Sequence, residues 1–273
     1  MQISIRIAAF ALLFFALAPA VQSSEGLSGK EVKAQIRAQQ GLEQNQYYLE
    51  TINPAVSNYG TEEEKAVLKR CVNRSIQAKI SYLAFRFGES YAEIRRTQWM
   101  LIRLYEQIVE KSREESHQRL LEYSERIVHS RNVRTRKYLV LGLRDLENAR
   151  LKVTDSVNMR PWLYLLRLND LADALKLVRH SDRYAMLIKI GMESIYPIGD
   201  SERMPYEQTA GVITSGFPGR QQEFLLRHDD NYFKVNRNSR NLLVDYWENP
   251  DLDSLQKPLQ GWDDQPLVEP DEE

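Results

Sequence analysis

The sequence predicts an all-α protein: an elongated bundle of long helices, then a Pro/Gly-rich, partly irregular region and an extended C-terminal arm. Three observations carry this expectation. Between Thr61 and Ile190 the chain has one proline, Pro161, and two glycines, Gly88 and Gly142, whereas seven of its ten prolines lie from Pro197 onward. Helix interiors disfavour both residues, by about 3 kcal/mol for Pro and about 1 kcal/mol for Gly. Apolar residues in the same stretch recur at spacings of three and four, and helix-start signals stand where that periodicity begins.

The first element is a secretory signal. Arg6 makes a short positive region, Ile7 to Leu17 is an 11-residue apolar run, and Ala18-Pro19-Ala20 supplies small residues for cleavage. Cleavage after Ser23 fits equally well. The run is far shorter than the ~20 residues needed to span a bilayer, so the segment reads as removable and the mature chain as not inserted in a membrane. The chain then divides into a helical bundle at 24–195, an irregular region with short helices at 196–247 and an acidic, Pro-rich arm at 248–273.

Within the bundle, Thr61 and Glu64 have the spacing of a capping box, which places acids at the positive end of a helix dipole. Val72, Ile76, Leu83 and Phe87 then line one face up to Gly88, a candidate C-cap. Ser90 and Glu93 repeat the box, and Tyr91, Ile94, Gln98, Leu101, Tyr105 and Ile108 form the seam of a helix lying lengthwise on another. Lys111 to Arg119 breaks that seam with charged and polar residues, so the helix either continues wet on all faces or turns, and projects from the core in both cases. Leu139, Leu146 and Val153 repeat every seven residues beside Gly142, Ala149 and Ser156, small positions that admit a neighbouring helix closely. Pro161 reads as a first-turn proline before an amphipathic helix through Leu168, Leu171, Leu175 and Val178. His180-Ser181-Asp182 reads as a turn into a last helix closing around Gly191.

Beyond Tyr196, Pro and Gly stop long helices. Short helices are expected at 221–228 and 239–247, with weak strands at 211–214 and 232–235. The arm carries Leu252, Leu255, Leu259, Trp262 and Val268 between prolines, and its last 13 residues hold six acids and no base. Such anchors predict an arm docked on a surface, the chain's own or a partner's.

Composition narrows the function. Lys plus Arg number 37 against 38 Asp plus Glu, a net charge of −1, which excludes a basic nucleic-acid binder. The single cysteine, Cys71, makes no internal disulfide, so packing alone holds an exported chain together. It reads either as a buried helical thiol, favoured by Val67 and Leu68 one turn earlier, or as an intermolecular link.

No catalytic, cofactor or metal set stands out. His117, His129, His180 and His228 are scattered without zinc-site spacing, and there is no nucleophile elbow or phosphate loop. His228-Asp229-Asp230 is the best mixed cluster, and reads first as a polar turn that ends a helix. From Lys111 to Arg183 there are 16 bases and 10 acids, densest at Arg131, Arg134, Arg136 and Lys137. This local excess reads either as an ordinary helix junction or as a docking patch for an acidic protein surface or anionic polymer. With Trp262 these four bases are the candidate partner-binding residues.

The signal peptide, the helix opened by Thr61 to Glu64, the seam from Tyr91 to Ile108, the wet elbow at Lys111 to Arg119 and the Pro-rich arm together resemble the flagellar-coiling proteins of leptospiral spirochaetes, in length the smaller member. The resemblance implies a periplasmic, V-shaped structural protein on the flagellar filament. It implies core and sheath proteins as partners, and neither enzyme activity nor a cofactor. Two other classes stay open: an exported helical binding module, adhesin or chaperone, and an enzyme with its site near His228 and Asp229.

Overall fold

The computed structural model describes residues 29–129, 133–193, 234–236, 239–259 and 261–262. Among these, six α-helices and one 3-10 turn occur and no strand. The helices are α1 Gly29–Tyr59, α2 Glu62–Leu83, α3 Phe87–His129, α4 Val133–Asn158, α5 Tyr164–Glu193 and α6 Leu242–Glu248, and the 3-10 turn is Leu252–Gln256. The all-α bundle expected from the breaker distribution is therefore present. The signal segment, Arg131, the 211–214 strand, the 221–228 helix and His228 to Asp230 lie outside the described residues, as do 232 and 233.

α3 organises the molecule: α1, α2, α4 and α5 all pack on it, and α4 and α5 also pack on each other. Its 43 residues reach about 65 Å at ~1.5 Å per residue. Ile94, Gln98, Leu101, Tyr105 and Ile108 are buried, as the seam requires. The seam does not stop at Lys111, contrary to expectation. Ser112 and Ser116 are buried at the next two turns, followed by Leu120, Tyr123 and Ile127. Two small hydroxyl residues continue the packed stripe while the charges around them face water, so the segment is neither a turn nor a spur wet on all sides. Arg119 reaches across to an ion pair with Asp182 on α5.

α2 starts with the expected capping box: Glu64 N–H donates to Thr61 Oγ1 at 3.2 Å and Thr61 N–H to Glu64 Oε2 at 2.6 Å. Its end differs. The helix stops at Leu83, four residues short of Phe87, and the left-handed residue after it is Phe85, at φ +60°. Arg86 N–H bonds to Ser81 O and Phe85 N–H to Tyr82 O, the Schellman pattern usually closed by glycine. Gly88 is not a C-cap but a member of the first turn of α3, where a Cβ would meet nothing within 4 Å. Leu83 is 65% exposed and off the core face. The second box does not form either: Ser90 is buried inside α3, and Glu93 pairs at 2.6 Å with Arg74 on α2.

The close approaches predicted for α4 are present. A Cβ on Gly142 would sit 2.9 Å from Leu120 Cδ1, and Ala149 and Ser156 are fully buried. α5 runs unbroken through His180-Ser181-Asp182, because Ser181 is buried and Asp182 is tied to Arg119. Pro161 stands in the turn before α5 and not within its first turn.

α1, which the sequence left undelimited inside the bundle, spans 31 residues with Pro54 inside it. Its carbonyls near the proline gain side-chain donors from other helices: Tyr105 Oη to Tyr48 O at 2.8 Å and Arg179 to Thr51 O at 2.8 Å. Pro54 lacks the N–H that would pair with Glu50 O and crowds that turn, and the Arg179 bond to Thr51 O offsets part of the pairing it disturbs. Gly41 lets α1 approach α3, since a Cβ there would lie 2.8 Å from Ile94 Cγ2.

Candidate functional site

The C-terminal arm docks on the chain's own helices. Three helical asparagines clamp its backbone. Asn53 Nδ2 donates to Asn241 Oδ1 at 2.9 Å while its Oδ1 accepts from Leu243 N–H at 3.1 Å. Asn58 donates to Lys234 O at 2.9 Å and accepts from Asn236 N–H at 2.8 Å. Asn73 does the same to Asp251, at 2.9 and 3.3 Å. An amide side chain offers both a donor and an acceptor, so Asn58 and Asn73 each hold a nearby backbone carbonyl and N–H together, while Asn53 holds the Asn241 side chain and the Leu243 N–H. Asn241 then caps α6, a 7-residue helix where 239–247 was expected.

Further along, Lys69 bonds Asp251 at 3.0 Å and holds its carboxyl below the ordinary carboxylate range. Arg70 donates to the carbonyls of Ser254 and Leu255. The last described residue of the arm is Trp262, which is 3% exposed. Its indole N–H donates to Glu63 at 3.2 Å, and the Arg103 guanidinium lies between the rings of Trp99 and Trp262, at 4.8 and 4.5 Å from the centroids. Of the two surfaces open to Trp262, its own fold has taken it, and the indole is buried where a partner-binding role needs it on the surface.

The basic candidates separate from Trp262 entirely. Arg134, Arg136 and Lys137 occupy the first turns of α4, with Arg136 and Lys137 exposed and Arg134 half-buried. No acid stands in that first turn.

Cys71 is fully buried and in no disulfide, the packed-thiol alternative. His117, His129 and His180 stay apart on the described helices, and among the described residues no three His, Cys, Asp or Glu side chains converge as a metal set would. A shallow groove of about 580 Å³ lies between α2, α3 and the 3-10 turn, lined by Arg74, Gln77, Glu93, Arg96, Asp253, Gln256 and two leucines. Of its charged side chains Arg74, Glu93 and Arg96 are engaged with one another. Buried tyrosines complete the interior: Tyr48 Oη donates to Asn169 at 2.6 Å, burial raises Tyr48 to about 12, and burial holds Tyr105 well above the ordinary range. Both stay neutral and serve as helix-to-helix bonds. The sequence reading missed the three asparagines, although Asn inside strongly apolar helical runs, as in Ile52-Asn53-Pro54 and Val72-Asn73, is the signal that marks them.

The fold thus defines a helical bundle closed by its own C-terminal strap, with side-chain chemistry spent on holding helices together. A family model described as "Surface protein adhesin OmpL37" matches residues 32–261, and the chain belongs to that family. The expectation of a leptospiral family is met at that level, while the flagellar-coiling identity is not what the match shows. No curated protein and no solved structure matches the chain.

Proposed function

We propose that this protein is a non-enzymatic, exported helical binding module acting as an adhesin at the cell surface. The observation that carries the reading is the family match, which runs from α1 through the strap and so covers the whole described bundle. The structure supports it in two ways. Polar side chains between the helices, such as Tyr48 with Asn169 and Arg119 with Asp182, bond helix to helix, which leaves recognition to the outer faces. No helix among the described residues is long and apolar enough to cross a membrane. A surface role therefore calls for the signal peptide and an attachment made by other means.

The test has two arms. Protease treatment of intact cells should degrade the protein while a periplasmic control survives. The purified mature chain should bind an immobilised panel of extracellular-matrix proteins in surface plasmon resonance. Protection in intact cells together with silence on the panel would remove the reading. The length of α3, about 65 Å at ~1.5 Å per residue, favours one second reading, a stiff subunit of the periplasmic flagellar sheath. Recovery with purified filaments, and from no surface fraction, would establish that instead.

A further inference from the structure

The face of α4 turned away from the bundle is apolar and positively charged at once. The helix packs through Thr135, Leu139, Gly142, Asp145, Leu146, Ala149 and Ser156. On its other side Val133, Val140 and Leu151 are 74%, 65% and 47% exposed. Their separations of seven and eleven residues bring them to within about 20° of one line at ~3.6 residues per turn. Leu143, 37% exposed, widens the stripe on one flank. Exposed Arg136, Lys137 and Arg144 lie along it, with Arg150 at its edge. The acids on this side are Glu147, paired with Arg150 at 2.6 Å, and Asp155, while Asp145 is buried beneath Arg144. Over α4 as a whole six bases stand against three acids.

We propose that this face docks an acidic amphipathic helix of a partner protein, a proposal that rests on the binding-module reading and locates its surface. The chemistry selects the occupant. A second copy laid on the same face would set positive charge on positive charge. An anionic polysaccharide answers the bases but offers nothing to Val133, Val140 and Leu151. A helix with an aliphatic seam flanked by Asp and Glu answers both, and the stripe from Val133 to Leu151, about 27 Å at ~1.5 Å per residue, accommodates five turns of it.

The test is fluorescence anisotropy on the mature chain, with a labelled 21-residue helical peptide carrying leucines along one seam and glutamates beside it. The same peptide with lysines for glutamates is the control. The Glu peptide binds, the Lys peptide binds at least tenfold more weakly, and binding falls as salt rises. The double substitution Arg136→Glu with Lys137→Glu lowers affinity at least tenfold while the helical circular dichroism is retained. Val140→Ser with Leu151→Ser lowers it comparably.

Heparin binding with a silent Glu peptide would overturn the proposal in favour of a polyanion surface. Equal binding of both peptides would overturn it as unspecific. So would self-association abolished by Val140→Ser with Leu151→Ser, or a tenfold gain in peptide affinity on deleting residues 263–273, which would show the chain's own acidic end covering the face. A chain that binds matrix proteins but not the peptide loses this site alone. A chain that binds neither loses the adhesin reading with it.

Discussion

The guanidinium of Arg103 lies 4.5 Å from the ring centroid of Trp262, and through it the middle of α3 is joined to the C-terminal strap. Trp262 is the last described anchor of a strap that is held first by Asn58 and Asn53 of α1 and crosses α2 by way of Lys69, Arg70 and Asn73. Trp262→Ala removes a nearly fully buried indole and its bond to Glu63. It should cost about 3 kcal/mol in chemical denaturation, the low end for a large-to-small change, since a surface strap can relax. Arg103→Ala should cost about 1 kcal/mol, the worth of partly exposed cation–π contacts. Limited proteolysis should then cut first within 249–262 in Trp262→Ala, and wild-type cleavage there at the same rate would show the strap to be undocked in solution.

At the other interface Gly142 faces Leu120. Gly142→Val places two branches where a single Cβ already falls 2.9 Å from Leu120 Cδ1. Overpacking of this kind costs about 1–3 kcal/mol, and differential scanning calorimetry should show the melting temperature fall by several degrees. An unchanged melting temperature would mean that α3 and α4 are not held this closely.

These two contacts differ in how far the sequence foretold them. The small-residue row Gly142, Ala149, Ser156, the Tyr91–Ile108 seam, the Thr61–Glu64 box and the burial of Cys71 are periodic or local, and local rules read them correctly. Ser112 and Ser116 misled because a serine in a charged run looks solvated, yet it is small enough to fill a seam position. α1 escaped delimitation because Pro54, Gly41 and Gly60 punctuate it, and their tolerance depends on Tyr105, Arg179 and Ile94 from distant helices. The α4 face stayed half-read: the bases were visible as a charge run, but which valines lie outward is decided only by what α3 and α5 cover.

Phe85 offers a test of backbone strain. At φ +60° a non-glycine residue costs roughly 1–2 kcal/mol. Phe85→Ala keeps that strain and loses the edge contact with Phe87, whose ring lies 6.1 Å away. Phe85→Gly loses the same contact and relieves the strain. Phe85→Gly should therefore be about 1 kcal/mol more stable than Phe85→Ala in urea denaturation, and equal stabilities would contradict the left-handed cap.

Alkaline titration probes the interior tyrosines. Tyr48 is raised by burial to about 12 and Tyr105 is raised by burial well above its ordinary value, whereas both ionise near ~10 once unfolded. Their stabilising contribution is therefore complete below pH ~10 and is lost as pH climbs from there through 12. Absorbance at ~295 nm should show the exposed tyrosines titrating first and a late fraction appearing together with loss of helical circular dichroism. Titration of every tyrosine near ~10 with helicity intact would mean Tyr48 and Tyr105 are open to water.

Recognition by an outward helical face, as opposed to turnover in a cleft, is tested most directly by comparing the wild-type mature chain with Arg136→Glu/Lys137→Glu on immobilised matrix proteins in surface plasmon resonance. Saturable wild-type binding that drops at least tenfold in the variant, with both proteins equally helical and equally stable, is the predicted result. Identical responses from the two, or none from either, would contradict it.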